Sequence, residues 1–155
     1  MDLTHIHLFM NHLPIWGSIF TFLFILYSFY KKNTDYLKIF LWLFVFIAII
    51  TIPVFLTGDP AGETIKNLPG INESVIDSHE DAAWISLILI EVTGAFILLG
   101  IFLIRKRGVA AAWFKYSLTI LMIACIVSFT WTANLGGEIR HTEIRTDSHI
   151  EKPEK

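Results

Sequence analysis

Four long apolar runs separated by polar segments dominate the hydrophobic pattern of the chain. They cover about residues 13–30, 37–56, 82–104 and 112–133. A helix needs about 20 apolar residues to cross a hydrocarbon core of about 30 Å, and none of the runs alternates as a barrel strand would. The pattern therefore predicts an all-α integral membrane protein. We expect an up-and-down bundle of four transmembrane helices within residues 1–141, followed by a polar C-terminal tail over residues 142–155.

The composition supports this interpretation. Hydrophobic residues make up 54% of the chain and charged residues only 17%, whereas ordinary globular proteins are about 25% charged. These values argue against a nucleic-acid-binding protein and a disordered chain. The single cysteine, Cys125, lies in an apolar run, where it can form neither an internal disulfide nor a cysteine-based metal cluster.

Basic residues mark the orientation of the bundle in the membrane. They flank the two short turns of the chain, at Lys31, Lys32 and Lys38 and at Arg105, Lys106, Arg107 and Lys115. The positive-inside rule places both turns in the cytoplasm. The sequence therefore predicts a multi-pass protein of the bacterial inner (cytoplasmic) membrane with both termini in the periplasm.

All six histidines fall on the predicted periplasmic side. His12 opens the first apolar run, His79 precedes the third and His141 follows the fourth, and these points converge at one end of an up-and-down bundle. His149 lies in the polar tail, outside this cluster. Because imidazole binds haem iron, zinc, copper and non-haem iron, the distribution predicts a shared cofactor at the periplasmic end.

A weak internal repeat narrows the choice of ligands. Each half of the chain has the same order of features: a histidine, an apolar run, a basic turn, a second apolar run and a polar exit that contains Gly and Glu. In this order His12 and Trp16 correspond to His79 and Trp84. A duplicated hairpin would place His12 and His79 on diagonal helices about 13 Å apart, which leaves room for a flat macrocycle. We therefore predict haem b with His12 and His79 as axial ligands. His7 and His141 form a second pair or support the first.

Several other residues are candidates for supporting roles. Asp59 and Asn134 are placed to orient a histidine through its second ring nitrogen, and Arg140 and Arg145 to bond haem propionates. Small residues at the exits of the second and fourth runs either allow close approach by a backbone or a planar ligand, or cap helix ends. These residues are Gly58, Gly62, Gly136 and Gly137.

The N-terminal segment fits two arrangements. A continuous helix kinked at Pro14 would place His5 and His12 on one face; alternatively, a helix begins near His12 with Pro14 in its first turn.

Glu91 lies inside the third run, where an ionised carboxylate is costly. It is either a proton-relay or quinol-site carboxylate or a hydrogen-bonding partner of Ser128, Thr130 or Thr132.

The segment His7-Leu8-Phe9-Met10-Asn11-His12-Leu13-Pro14 resembles the His-x-x-x-x-His-(Phe or Leu)-Pro opening of small bacterial membrane proteins grouped as domain of unknown function 2231. Thr57-Gly58-Asp59 and His79 are similar to later motifs of that family, so the resemblance covers most of residues 5–141. It implies a four-helix membrane protein whose histidines hold a redox cofactor, commonly taken to be haem b.

Three functions follow from these observations. The favoured function is that of a membrane-bound b-type cytochrome-like protein with one or two haems. It would transfer electrons beside a quinol oxidoreductase, a periplasmic cytochrome or a larger respiratory complex. The protein itself would be a monomer or a homo-oligomer. It is an electron carrier more readily than a stand-alone enzyme. The alternatives are a non-haem site for zinc, copper or iron, and a structural subunit of a respiratory complex.

Overall fold

The computed structural model describes residues 3–144, and over this range the chain is helical and has no strand. Six α-helices follow one another and a short 3₁₀ turn closes the described segment at Thr142–Ile144. The helices are α1 (Leu3–Met10), α2 (Leu13–Lys31), α3 (Thr34–Leu56), α4 (Gly58–Ile65), α5 (Glu73–Arg107) and α6 (Ala112–Arg140).

Four stretches of helix are long and apolar enough to cross a membrane. They are Leu3–Lys31, Thr34–Ile65, Glu73–Arg107 and Ala112–Arg140. Helix α2 packs on α3, α5 on α6, α3 on α5 and α2 on α6, so that α2 and α5 are diagonal, as are α3 and α6. The predicted all-α four-helix bundle is confirmed.

The core and the outer surface of the bundle are both apolar. Phe44, Ile90 and Leu118 are fully buried, whereas Phe46 and Ile120 remain more than half exposed. A chain in water rarely leaves so many large apolar side chains in contact with solvent. The outer surface therefore suits contact with lipid.

The helices extend beyond the apolar runs. Helix α5 begins at Glu73, where the Asn72 side chain caps it by accepting from the Ser74 N–H at 2.9 Å. Helix α6 continues to Arg140, and Ile139 near its end packs on Val75 and Ile76. Capping and this small second core stabilise polar turns that apolar periodicity alone does not mark.

The exits of α3 and α6 are therefore helical rather than loop-like. Gly58 and Gly62 lie in α4, and Gly136 and Gly137 lie in α6. Their interpretation as helix C-caps is wrong. The tail beyond residue 144, including Arg145 and His149, lies outside the described residues.

The N-terminal helix is interrupted before the first long span. Helix α1 ends at Met10, and α2 begins at Leu13 with Pro14 in its first turn. Proline is accommodated there because the first N–H groups of a helix have no partner within it. This confirms the second of the two arrangements, and no continuous helix joins His5 to His12.

The first long helices of the two hairpins, α2 and α5, repeat each other in their core positions. Adding one constant number to the residue number of each buried residue of α2 gives a buried residue of α5. The pairs are Pro14 and Ser86, Ser18 and Ile90, Thr21 and Thr93, Ile25 and Ile97, and Ser28 and Gly100. The same shift carries His7 onto His79. The repeat is therefore present in the packing of α2 and α5, but it pairs His79 with His7 instead of His12.

A short sequence match accompanies this register. Thr21-x-x-Phe24-Ile25-Leu26 in α2 matches Thr93-x-x-Phe96-Ile97-Leu98 in α5 at four identical positions. The match lies inside the apolar runs. Because all of these runs are built from the same few residue types, a match of this length does not stand out from the sequence. It is the signal that could have identified His7 from the sequence.

Candidate histidine site

His7 connects the N-terminal helix α1 to the end of α3. Its Nδ1 lies 3.1 Å from the Val54 carbonyl oxygen and 3.4 Å from the Thr57 hydroxyl. Val54 is one helical turn before Gly58, and a Cβ placed on Gly58 would lie 3.5 Å from Cε1 of the His7 ring. The imidazole is thus held at the junction of α3 and α4.

His79 makes the equivalent contact in the second hairpin. Its Nδ1 lies 2.9 Å from the Thr132 carbonyl oxygen in α6. Thr132 is one turn before Gly136, and a Cβ on Gly136 would lie only 3.1 Å from Cε1 of His79. Gly136 therefore allows a close approach, as one interpretation of these glycines expected, and the planar group that approaches is a histidine of the chain itself, whereas the His7 ring lies at ordinary contact distance from Gly58.

The carbonyl contacts fix the tautomer of both rings. A carbonyl oxygen only accepts hydrogen bonds, so each Nδ1 carries the proton and donates it, and in the neutral ring Nε2 keeps its lone pair. Within residues 3–144 neither Nε2 has a hydrogen-bond partner. Metal-bound histidines are held in this way, with the outer N–H on a carbonyl and the other nitrogen turned to the metal.

His7 and His79 lie near each other at the same end of the bundle. Helix α4 contacts both α1, which carries His7, and α5, which carries His79, and both side chains are half-buried. The structure thus brings together two histidines of corresponding position and bonding from the two hairpins.

A hydroxyl network supports the His79 anchor. The Ser86 hydroxyl lies 2.7 Å from that of Ser128 and 2.9 Å from that of Thr132. Thr132 is therefore held through its hydroxyl while its carbonyl receives the His79 N–H. Sequence reasoning missed Ser86, because an isolated serine in an apolar run gives no signal of its partner.

This network corrects the hydrogen-bonding prediction for Glu91. Ser128 and Thr132 bond to Ser86, and the Thr130 hydroxyl donates to the Ile126 carbonyl at 2.7 Å. The buried Oε1 of Glu91 has no hydrogen-bond partner in the described part of the chain.

The other predicted ligands lie apart from this arrangement. His12 is exposed, and its Nδ1 contacts the neighbouring Asn11 side chain. His141 is exposed and pairs with Glu143 at 3.0 Å. His5 is exposed on α1, and Arg140 is exposed on the last turn of α6. In the described chain it is His7, and not His12 or His141, that matches His79 in position and in bonding.

Asp59 and Asn134 do not take the orienting role expected of them. Asp59 is exposed, and the Asn134 amide donates to Oε1 of the buried Glu138 at 2.8 Å. The backbone carbonyls of Val54 and Thr132 orient the two rings in their place. A carbonyl carries no residue signature, so the sequence could not identify either partner.

A compact multi-ligand metal site is not assembled in this part of the protein. Residues 3–144 contain no group of three or more histidine, cysteine, aspartate or glutamate side chains placed to hold a metal ion. Zinc sites draw three or four such ligands together. The described residues therefore offer a metal the two ring nitrogens of His7 and His79, but not the three or four ligands of a zinc site.

The fold and the site together define a class of protein, a four-helix bundle able to span a membrane that carries a symmetric pair of carbonyl-anchored histidines. Comparison of the chain with protein-family models, with curated proteins and with solved structures gives no match. The resemblance to the family of unknown function therefore stays a prediction.

Two adjacent glycines provide a test of the His79 anchor. Gly136→Ala would bring a Cβ to 3.1 Å from the His79 ring, whereas Gly137→Ala would meet only Ile144 Cδ1 at 3.5 Å, an ordinary contact. Alanine favours a helix by about 1 kcal/mol over glycine, so we expect Gly137→Ala to raise the free energy of unfolding. Gly136→Ala should lose this gain because the ring must move, and should be less stable than Gly137→Ala by about 1–2 kcal/mol. Denaturant unfolding in detergent measures both, and equal stabilities would contradict the tight fit of His79.

Proposed function

We propose that the protein is a membrane-bound, b-type cytochrome-like electron-transfer protein that holds haem b without a covalent link, with His7 and His79 as axial ligands. The observation that carries this proposal is the pair of equivalent histidines at one end of the bundle, each bonded through Nδ1 to a carbonyl of the neighbouring helix.

The donor set fits a haem better than a bare metal ion. Two imidazole nitrogens complete the coordination of haem iron, since the porphyrin supplies the other four ligands, whereas zinc needs three or four from the protein. The carbonyl bonds keep both rings in the ligating tautomer and raise the basicity of Nε2. When bound, the haem supplies one-electron redox chemistry. The chain supplies the two ligands and the orientation of their rings.

The charge pattern supports an orientation for this site. Lysine and arginine flank the turns at the end of the bundle opposite the histidines, which favours a cytoplasmic location for those turns. The histidine end then faces the periplasm of a bacterial inner membrane, with both termini on that side. In this position the protein would exchange electrons with a quinol, a periplasmic cytochrome or a respiratory complex, as a carrier rather than a stand-alone enzyme.

A reduced-minus-oxidised visible spectrum of the purified protein tests the proposal. The protein is expressed with an adequate haem supply, and a pyridine haemochrome assay counts haem per chain. We expect the α band of a six-coordinate b haem and one haem per chain, because the structure provides one matched histidine pair. A flat spectrum would reject the proposal. Stoichiometric zinc, copper or iron without porphyrin would then favour the non-haem alternative, and no metal at all would favour a structural subunit.

A further inference from the structure

An open cavity of about 240 Å³ lies at the lysine-rich end of the bundle, far from the histidines along the helices. It is formed where the turn between α2 and α3 meets the turn between α5 and α6. Its polar wall includes Lys32, Asn33, Thr34 and Lys115. The cavity thus spans both hairpins at the end where the positive charge of the chain is concentrated.

Two lysines give this cavity its charge. Lys32 ends α2 in the left-handed conformation, with φ at 52°, and its N–H bonds to the Phe29 carbonyl at 3.2 Å. Lys115 is half-buried, with its ammonium 5.5 Å from the centre of the Phe29 ring. Neither lysine has an ion-pair partner in the described range, and the nearby Asp35 pairs with Lys38 at 3.2 Å. No carboxylate lines the cavity, so the two lysines give its lining a net positive charge.

Apart from Ser28, the remaining wall of the cavity is apolar. Phe29, Leu37, Val109 and Ala110 form this side, and it is continuous with helices that present large apolar side chains outward. A small water-soluble anion would gain nothing from such a wall. An amphiphile with an anionic head and acyl chains matches both halves of the lining.

We propose that this cavity binds the phosphate headgroup of an anionic phospholipid from the leaflet at the lysine-rich end. Lys32 and Lys115 contact the phosphate, and the apolar wall contacts the first part of the acyl chains. Because the two lysines belong to different hairpins, the bound lipid links the hairpins at the end opposite the histidine pair. The site involves none of the residues proposed to bind haem, so the two proposals succeed or fail separately.

Native mass spectrometry of the delipidated full-length protein tests this site. The protein is titrated with phosphatidylglycerol, and separately with phosphatidylcholine, and the bound lipid is counted. The variant Lys32→Gln/Lys115→Gln should bind phosphatidylglycerol about 25-fold more weakly, at roughly fivefold for each lysine near a membrane surface. The matched control is Arg105→Gln/Lys106→Gln, which removes two charges at the same end without altering the cavity lining. It should bind phosphatidylglycerol as the original chain does.

Two further measurements keep the result interpretable. Lys115→Gln alone, with the Lys32 turn intact, should show the fivefold loss, and circular dichroism should show unchanged helicity for every variant. Equal losses in the cavity variant and the control would overturn the proposal in favour of general charge attraction. Equal binding of phosphatidylcholine, or full displacement of phosphatidylglycerol by inorganic phosphate, would overturn it as well, the latter in favour of a small-anion site.

Discussion

Replacing both His7 and His79 by alanine is expected to abolish the b-type spectrum of the purified protein. These two rings offer Nε2 while Nδ1 is held by Val54 and Thr132. Loss of a residue that merely orients a ligand lowers affinity roughly 10–100-fold, and loss of the ligands themselves should cost at least as much. Each single variant should leave a haem with one protein ligand, visible as a change from a six-coordinate to a five-coordinate spectrum. Haem content by pyridine haemochrome and the reduced visible spectrum measure both effects.

His12→Ala and His141→Ala are the matched controls for this prediction. Both residues are exposed histidines at the same end of the bundle, and they contact Asn11 and Glu143. We expect both variants to keep haem content and spectrum. If His12→Ala loses the six-coordinate spectrum while His7→Ala retains it, the ligand pair is His12 and His79, as the sequence alone favoured, and the assignment from the structure is wrong.

Gly100→Ala is expected to destabilise the bundle more than any other glycine substitution in the membrane-spanning helices. A Cβ on Gly100 would lie 2.1 Å from two carbon atoms of the Phe114 ring. Phe114 is only 2% exposed and packs in the main core, so a shift of its ring would disturb the side chains around it. Overpacking of this kind costs about 1–3 kcal/mol. Unfolding in mixed detergent micelles, followed by circular dichroism, measures the loss.

A double variant separates this steric effect from a general effect of alanine in α5. Phe114→Leu removes the ring atoms that the new methyl group would meet, so Gly100→Ala should cost less in that background than in the original chain. The difference between the two costs is the coupling energy of the pair. Equal costs in both backgrounds would mean that the contact between Gly100 and Phe114 does not limit the packing of α5 on α6.

Part of the candidate site was accessible from the sequence and part was not. The placement of the histidines near one end of the bundle followed from their positions beside apolar runs, because adjacent antiparallel helices return the chain to the same end. Gly136 was also recognised as a place of close approach. The partners of His7 and His79 are backbone carbonyls, which every residue has, so no residue type marked them.

The sequence by itself determined the all-α architecture and the four long apolar helices. Long apolar runs bounded by basic residues are enough to predict these features. In lipid the backbone of each run must form its own hydrogen bonds, which favours a helix, and charged residues stay outside the hydrocarbon, which marks the ends of each helix. The tertiary structure was needed to show which histidines correspond, because the sequence match that relates His7 to His79 is short and lies inside apolar runs. His7 lies on the separate helix α1 and contacts the end of α3, while α5 runs unbroken through His79. The position of His7 depends on how α1 packs on α3 and α4. This contact joins segments that are distant in the chain, so the local pattern of apolar residues does not predict it.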